Sequence, residues 1–207
     1  ANRECFDRWA DGFIDVDRNV VHELQTKFSP AFWEIYLFKM FKSLGFSVSR
    51  PTNRPDFIVD GPINQIAVEA KVIEAGPGKP SVSDHLGEVA WNRDKFYSDT
   101  ITKLNSAVQS KLDHYRTYAS DSVVSNKPFL LCVNPYNSPH FVVQGFSAMT
   151  CVLYQYWDPE FVEDRCGRLI EVGHTRKESV FKVNGTEIGL GLFLDAANSD
   201  LSAVFFN

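Results

Sequence analysis

The sequence predicts a mixed α/β fold: a central sheet flanked by helices, followed by a β-rich C-terminal elaboration. Three observations predict it. A strongly apolar helical segment precedes a short alternating hairpin over residues 54–72. A long helical stretch then leads to FLLCVN, residues 129–134, a continuous apolar run of the kind a buried central strand shows. The last forty residues alternate strand-like segments with turn signals.

Residues 1–27 read as partly helical. Ser29-Pro30 reads as an N-cap and first helical position, with AFWEIYLFKMFKSL behind it and Gly45 as the C-cap. On a helical wheel Trp33, Leu37, Met40, Phe41 and Leu44 form one apolar stripe. FSVSR leads into the hairpin. The Gly-, Pro- and Ser-rich segment 74–84 is a loop, and residues 84–119 are mostly helical in character. HFVVQGF, 140–146, is a strand candidate, and SAMTCVLYQYW fits helix or strand. RLIEVG and ESVFKV-NG-TEIGLGLFL read as strands, with a tight turn at Asn184-Gly185, and LSAVFFN closes the chain as another strand.

At 207 residues the chain is long enough for one domain, 1–207, with a core at about 29–135 and the elaboration at about 136–207. Hydrophobic residues make up 44% and charged residues 23%, and 17 Phe predict a well-filled core. No apolar run is long enough to span a bilayer, so no membrane is expected as a partner. The polar, acidic N-terminal stretch does not resemble a signal peptide. Ala1 and Asn207 leave room for additional domains outside this chain. Cys5, Cys132, Cys151 and Cys166 form no CxxC or CxH pair, which argues against zinc and against a redox dithiol. A reducing cytoplasm is the expected location.

The net charge of -5 weighs against a broadly phosphate-binding surface. Its distribution matters more. Residues 50–128 hold 10 Lys/Arg and 10 Asp/Glu, whereas residues 129–207 hold 5 and 9. A local basic groove in the middle of the chain is therefore compatible with the acidic total.

The hairpin carries charges that packing alone does not need. In QIAVEAKV, Ile66, Val68, Ala70 and Val72 face one way and Ala67, Glu69 and Lys71 the other. A turn at Pro62-Ile63, with Gly61 and Asn64 at its corners, places Asp56 opposite Glu69. Opposed carboxylates with Cβ atoms roughly 5 Å apart repel. A divalent cation between them reverses the sign of that interaction, and Lys71 then stands one step along the same face. Glu34 lies at the edge of the preceding helix's apolar stripe, where a carboxylate is costly without a cation or hydrogen-bond donors. The competing reading is a solvated hairpin face with a Glu69–Lys71 surface pair.

Pro55-Asp56 followed by Glu69-Ala70-Lys71 resembles the PD-(D/E)XK motif of the restriction-endonuclease-like nucleases. The resemblance covers about half the chain. It implies a restriction-endonuclease-like core: a helix, a three-stranded antiparallel meander, a helix and a further strand. It also implies a metal-dependent endonuclease, more readily of DNA than RNA, with magnesium or manganese as cofactor. Asp56, Glu69 and the Ala70 carbonyl would ligate the metal. Lys71 would orient water or stabilise negative charge, and Glu34 would complete the site. Gln109 or Lys103 would be the polar residue often supplied by the following helix. Many such enzymes act as dimers, which makes a homodimer one expected assembly. The alternative is a catalytically inactive binding or regulatory module on the same scaffold.

The other chemistry-bearing residues are weaker candidates. No HExxH, GxSxG or P-loop is present. Asp84-His85 and Asp113-His114 read as surface pairs. GPGK, 76–79, reads as a surface loop whose lysine could meet a phosphate, and Lys103, Lys111 and Arg116 read as a solvated helix face or a stripe that contacts a nucleic-acid backbone.

Overall fold

The computed structural model describes residues 2–79, 92–141 and 146–207. The chain divides into two units: Ala1–Val72 with Ser110–Asn134 and Asp200–Asn207, and Ile73–Gln109 with Pro135–Ser199. The first unit holds helices α1 (Asn2–Ala10), α2 (Val20–Thr26) and α3 (Phe28–Ser43) and all five strands of the main sheet.

Helix α3 begins earlier than its Ser-Pro pair predicts. Lys27 is its N-cap and makes no side-chain capping bond, so Ser29 and Pro30 both lie in the first turn. A proline is harmless there, because first-turn N–H groups have no intrahelical acceptor. The expected apolar stripe also needs correction. The buried residues are Ala31, Trp33, Ile35, Leu37, Phe38 and Phe41, whereas Met40 is half-buried and Leu44 is 64% exposed. The reason is the number of partners: α3 packs on α1 and α2 as well as on the sheet, so a broad arc is covered rather than one stripe. At its end the Phe46 N–H reaches the Phe41 carbonyl at 3.1 Å and the Gly45 N–H reaches Lys42. Gly45 has φ +85°, which glycine adopts without strain, and the Phe41 and Phe46 rings meet edge to face across it.

The main sheet runs β1 (Ser47–Ser49), β2 (Phe57–Asp60), β3 (Gln65–Val72), β4 (Phe129–Asn134) and β9 (Leu201–Phe206) in that spatial order. The first three strands are antiparallel, and β3, β4 and β9 are parallel. The β2–β3 ladder pairs Phe57 with Val68 and Asp60 with Gln65, which is the register expected from the turn. Gly61 is required there: a Cβ on it would sit 2.8 Å from the Asn64 carbonyl oxygen, which its own N–H bonds at 3.0 Å. FLLCVN is the buried β4, as expected. The closing strand, expected within the C-terminal elaboration, is the fifth strand of the main sheet.

Trp33 fastens α3 to the far side of that sheet. It is 2% exposed, its Nε1–H donates to the Cys132 carbonyl at 3.1 Å, and its ring stacks on Phe205 of β9. Burial pushes the neighbouring Cys132 thiol well up, so it is an inert core group.

The long helix α4 spans Arg93–Arg116, ending three residues before the predicted 119, and contributes Ser110–Arg116 to the first unit. In the second unit SAMTCVLYQYW resolves into both elements. Helix α5 (Ser147–Tyr154) ends at left-handed Gln155, and β5 (Tyr156–Glu163) follows. Strand β5 pairs with β6 (Leu169–Arg176), and β7 (Ser179–Phe181) pairs with β8 (Glu187–Gly189). Asn184-Gly185 does form the predicted tight turn between the last two. Residues 74–79 carry no regular structure. The rest of the predicted loop, the Asp84-His85 pair and the centre of HFVVQGF lie outside the described residues.

Trp33→Ala should lower stability by about 3–5 kcal/mol in urea unfolding. Trp33→Phe keeps much of the ring and loses the bond to Cys132, so it should cost less, about 1–3 kcal/mol. Equal costs would mean the indole hydrogen bond, not ring packing, dominates.

Candidate active site

The site starts from one buried charge. Glu69 lies on β3 between buried neighbours and is only 3% exposed. A carboxylate there must be met by donors or a cation. Both of its oxygens are met. Lys111 Nζ lies 2.5 Å from Oε2, and the Tyr118 hydroxyl donates to Oε1. Burial and this hydrogen bond push the Tyr118 hydroxyl's pKa far up, so it keeps the proton it donates.

Asp56 stands just before β2. The β2–β3 ladder ends at Phe57 and Val68, and Asp56 Oδ2 accepts the Ala70 N–H at 2.7 Å. The carboxylate thus continues the hairpin by side chain where the backbone ladder stops. Burial, then the charge of Glu69, push the Asp56 carboxyl up to about 6, against the pull of Lys111, the Ala70 N–H and Arg50.

Glu34 joins from α3. Burial, then the charge of Asp56, push it up to about 7. Its Oε2 meets Arg50 Nη2 at 2.6 Å. Arg50 is itself braced: its guanidinium lies over the Phe13 and Phe57 rings, and Nη1 donates to the Ile14 carbonyl.

Of the four predicted side chains, Asp56 therefore feels Glu69, and Glu34 feels Asp56. Lys71 is half-buried on β3, paired across the ladder with Val133, and its ammonium has no hydrogen-bond partner among the described residues. The cations that act on Asp56 are Lys111 and Arg50. Lys103 donates instead to the Glu74 carbonyl, at 3.4 Å.

Sequence reasoning missed Lys111, Tyr118 and Arg50. A signal for Lys111 is nevertheless present in the sequence. The lysine lies three residues after Val108 and four before Tyr115, both buried, so it flanks the inward arc of α4. Tyr118 follows the helix in a turn, and nothing local marks it.

Carboxylate oxygens and a backbone carbonyl are donors suited to magnesium or manganese. Among the described residues, no three His, Cys, Asp or Glu side chains are grouped closely enough to hold a metal ion. The cation in contact with Glu69 is the Lys111 ammonium. Admitting a divalent ion at Glu69 would therefore require Lys111 or Tyr118 to release an oxygen. No protein-family model matches the chain, and no curated protein or solved structure shows significant similarity to it.

Glu34 and Asp56 hold protons more tightly folded than unfolded, so their contribution to stability falls as pH rises from about 4 to 7. Glu34→Gln removes its share of that loss. Its melting temperature should match the wild type near pH 4 and exceed it near pH 8. A variant less stable near pH 8 would show that the Arg50 ion pair outweighs the burial cost.

Proposed function

We propose that the chain is a metal-dependent nuclease that hydrolyses phosphodiester bonds, with DNA as the favoured substrate and magnesium or manganese as cofactor. The observation that carries this reading is the hairpin register. It sets Asp56 against the Glu69-Ala70-Lys71 strand, hydrogen-bonded to the Ala70 N–H, with Glu34 close enough to be shifted by the Asp56 charge. The element order supports a restriction-endonuclease-like core: α3, the antiparallel β1–β2–β3, α4, then β4 parallel to β3.

Phosphodiester hydrolysis needs a Lewis acid, a positioned water and positive charge near the developing negative charge. When bound, the ion supplies the first of these and lowers the pKa of its water. Asp56, Glu69 and the Ala70 carbonyl would hold the ion, with Glu34 beside them. Lys71 stands on the Glu69 face of β3 and would orient water or meet the developing charge. Lys111 is a second ammonium at the same carboxylate and fits the same electrostatic task. The inactive-scaffold reading has one observation of its own: Lys111 and Tyr118 already satisfy both oxygens of Glu69.

One experiment separates the two. Supercoiled, linear and single-stranded DNA and an RNA are incubated with magnesium, manganese or EDTA. The nuclease reading expects cleavage that EDTA abolishes and that Asp56→Ala lowers by roughly 100-fold or more. A folded chain that cleaves none of these substrates in either metal is the result the inactive scaffold expects.

A further inference from the structure

A second cluster sits outside the acids, within the same unit. Arg54 directly precedes Pro55-Asp56 and is exposed. Its Nη1 contacts His114 Nε2, and its guanidinium lies over the Tyr118 ring, 5.8 Å from the centroid. The His114 and Tyr118 rings meet edge to face at 5.7 Å. Tyr118 in turn donates to Glu69. The contacts thus run without a gap from an exposed guanidinium to the buried acid.

Arg54 differs from the arginines that form ion pairs. Arg50, Arg93, Arg116, Arg168 and Arg176 each meet a carboxylate. Arg54 has no carboxylate partner among the described residues and is placed against an imidazole and a phenol ring. The acid beside His114, Asp113, is paired with Arg116. A guanidinium carries five N–H donors in a planar fork that matches phosphate oxygens. With neither a balancing anion nor full desolvation, most of that fork is available. His114 offers a ring nitrogen beside it, able to donate once the imidazole no longer accepts from Arg54.

We infer that Arg54 and His114 form a phosphate-binding pair that holds the backbone of a nucleic-acid strand next to the phosphodiester facing Asp56 and Glu69. Tyr118 ties this pair to Glu69, so that gripping the strand and positioning the acid are mechanically one unit. The pair is a positioning element rather than a catalytic one. The inference rests on the nuclease reading and names how that site would take its substrate.

The test uses the full chain carrying Asp56→Asn, which prevents cleavage and removes one repelling charge. Binding of a fluorescein-labelled duplex is followed by anisotropy over a range of salt, with melting temperature as the folding control. Adding Arg54→Ala should weaken binding roughly ten-fold and reduce the slope of log affinity against log salt by about 1. His114→Ala should weaken it less, and Arg54→Lys should recover part of the loss, since it keeps the charge and loses the fork. Unchanged affinity and slope in Arg54→Ala would overturn the inference and leave the nuclease reading standing. Displacement of the duplex by inorganic phosphate at micromolar concentration would assign the pair to a free anion and overturn the strand assignment. A chain that binds neither duplex, single-stranded DNA nor RNA would remove the nuclease reading and this inference with it.

Discussion

The first unit is organised around the burial of one negative charge. Glu69 sits near the middle of the sheet's third strand, flanked by the buried β4, where an unpaired carboxylate would cost several kcal/mol. Its compensation comes from far along the chain: Lys111, 42 residues on, and Tyr118, 49 residues on. The end of α4 and the turn after it are thereby fixed over β3. Replacing this arrangement with a leucine would be simpler if packing were the only demand. A charge kept at such cost, beside Asp56, supports the site we propose rather than a purely packed core.

The acids around Glu69 are held by different means. Asp56 is held by a backbone N–H at the point where the hairpin ladder stops, and Glu34 by an arginine clamped between two phenylalanine rings. Each is raised chiefly by burial and then by a neighbouring acid, and each is only partly relieved by the cations nearby. Trp33, one residue before Glu34, locks α3 to β4 and β9 and so sets the height of Glu34 above the sheet. Packing and site are coupled through adjacent residues of one helix.

What the sequence makes legible follows from how local each signal is. The hairpin register is readable because alternation, the Gly61-Pro62-Ile63-Asn64 turn and the position of Glu69 all agree, and the ladder shows it. The Gly45 helix end and the Asn184-Gly185 turn are readable for the same reason: a glycine at a required conformation marks them. The broad burial of α3 is not, because it depends on how many elements pack against the helix. The place of β9 is not, because parallel pairing with β4 leaves no turn signal between the strands. The acids Glu34, Asp56 and Glu69 were found by asking why charge stands among apolar residues. Lys111 and Arg50 were missed because a lysine or arginine beside solvent is ordinary, and only the fold reveals which buried carboxylate it meets.

We propose that these acids form a site for a divalent ion. Isothermal titration of the folded chain with magnesium and with manganese, beside Glu69→Gln, tests it most directly. The account predicts saturable binding of at least one ion by the wild type, lost or strongly weakened in the variant. No saturable heat from either metal, in a chain whose melting temperature also fails to rise with metal, would contradict it and leave Lys111 as the resident cation of Glu69.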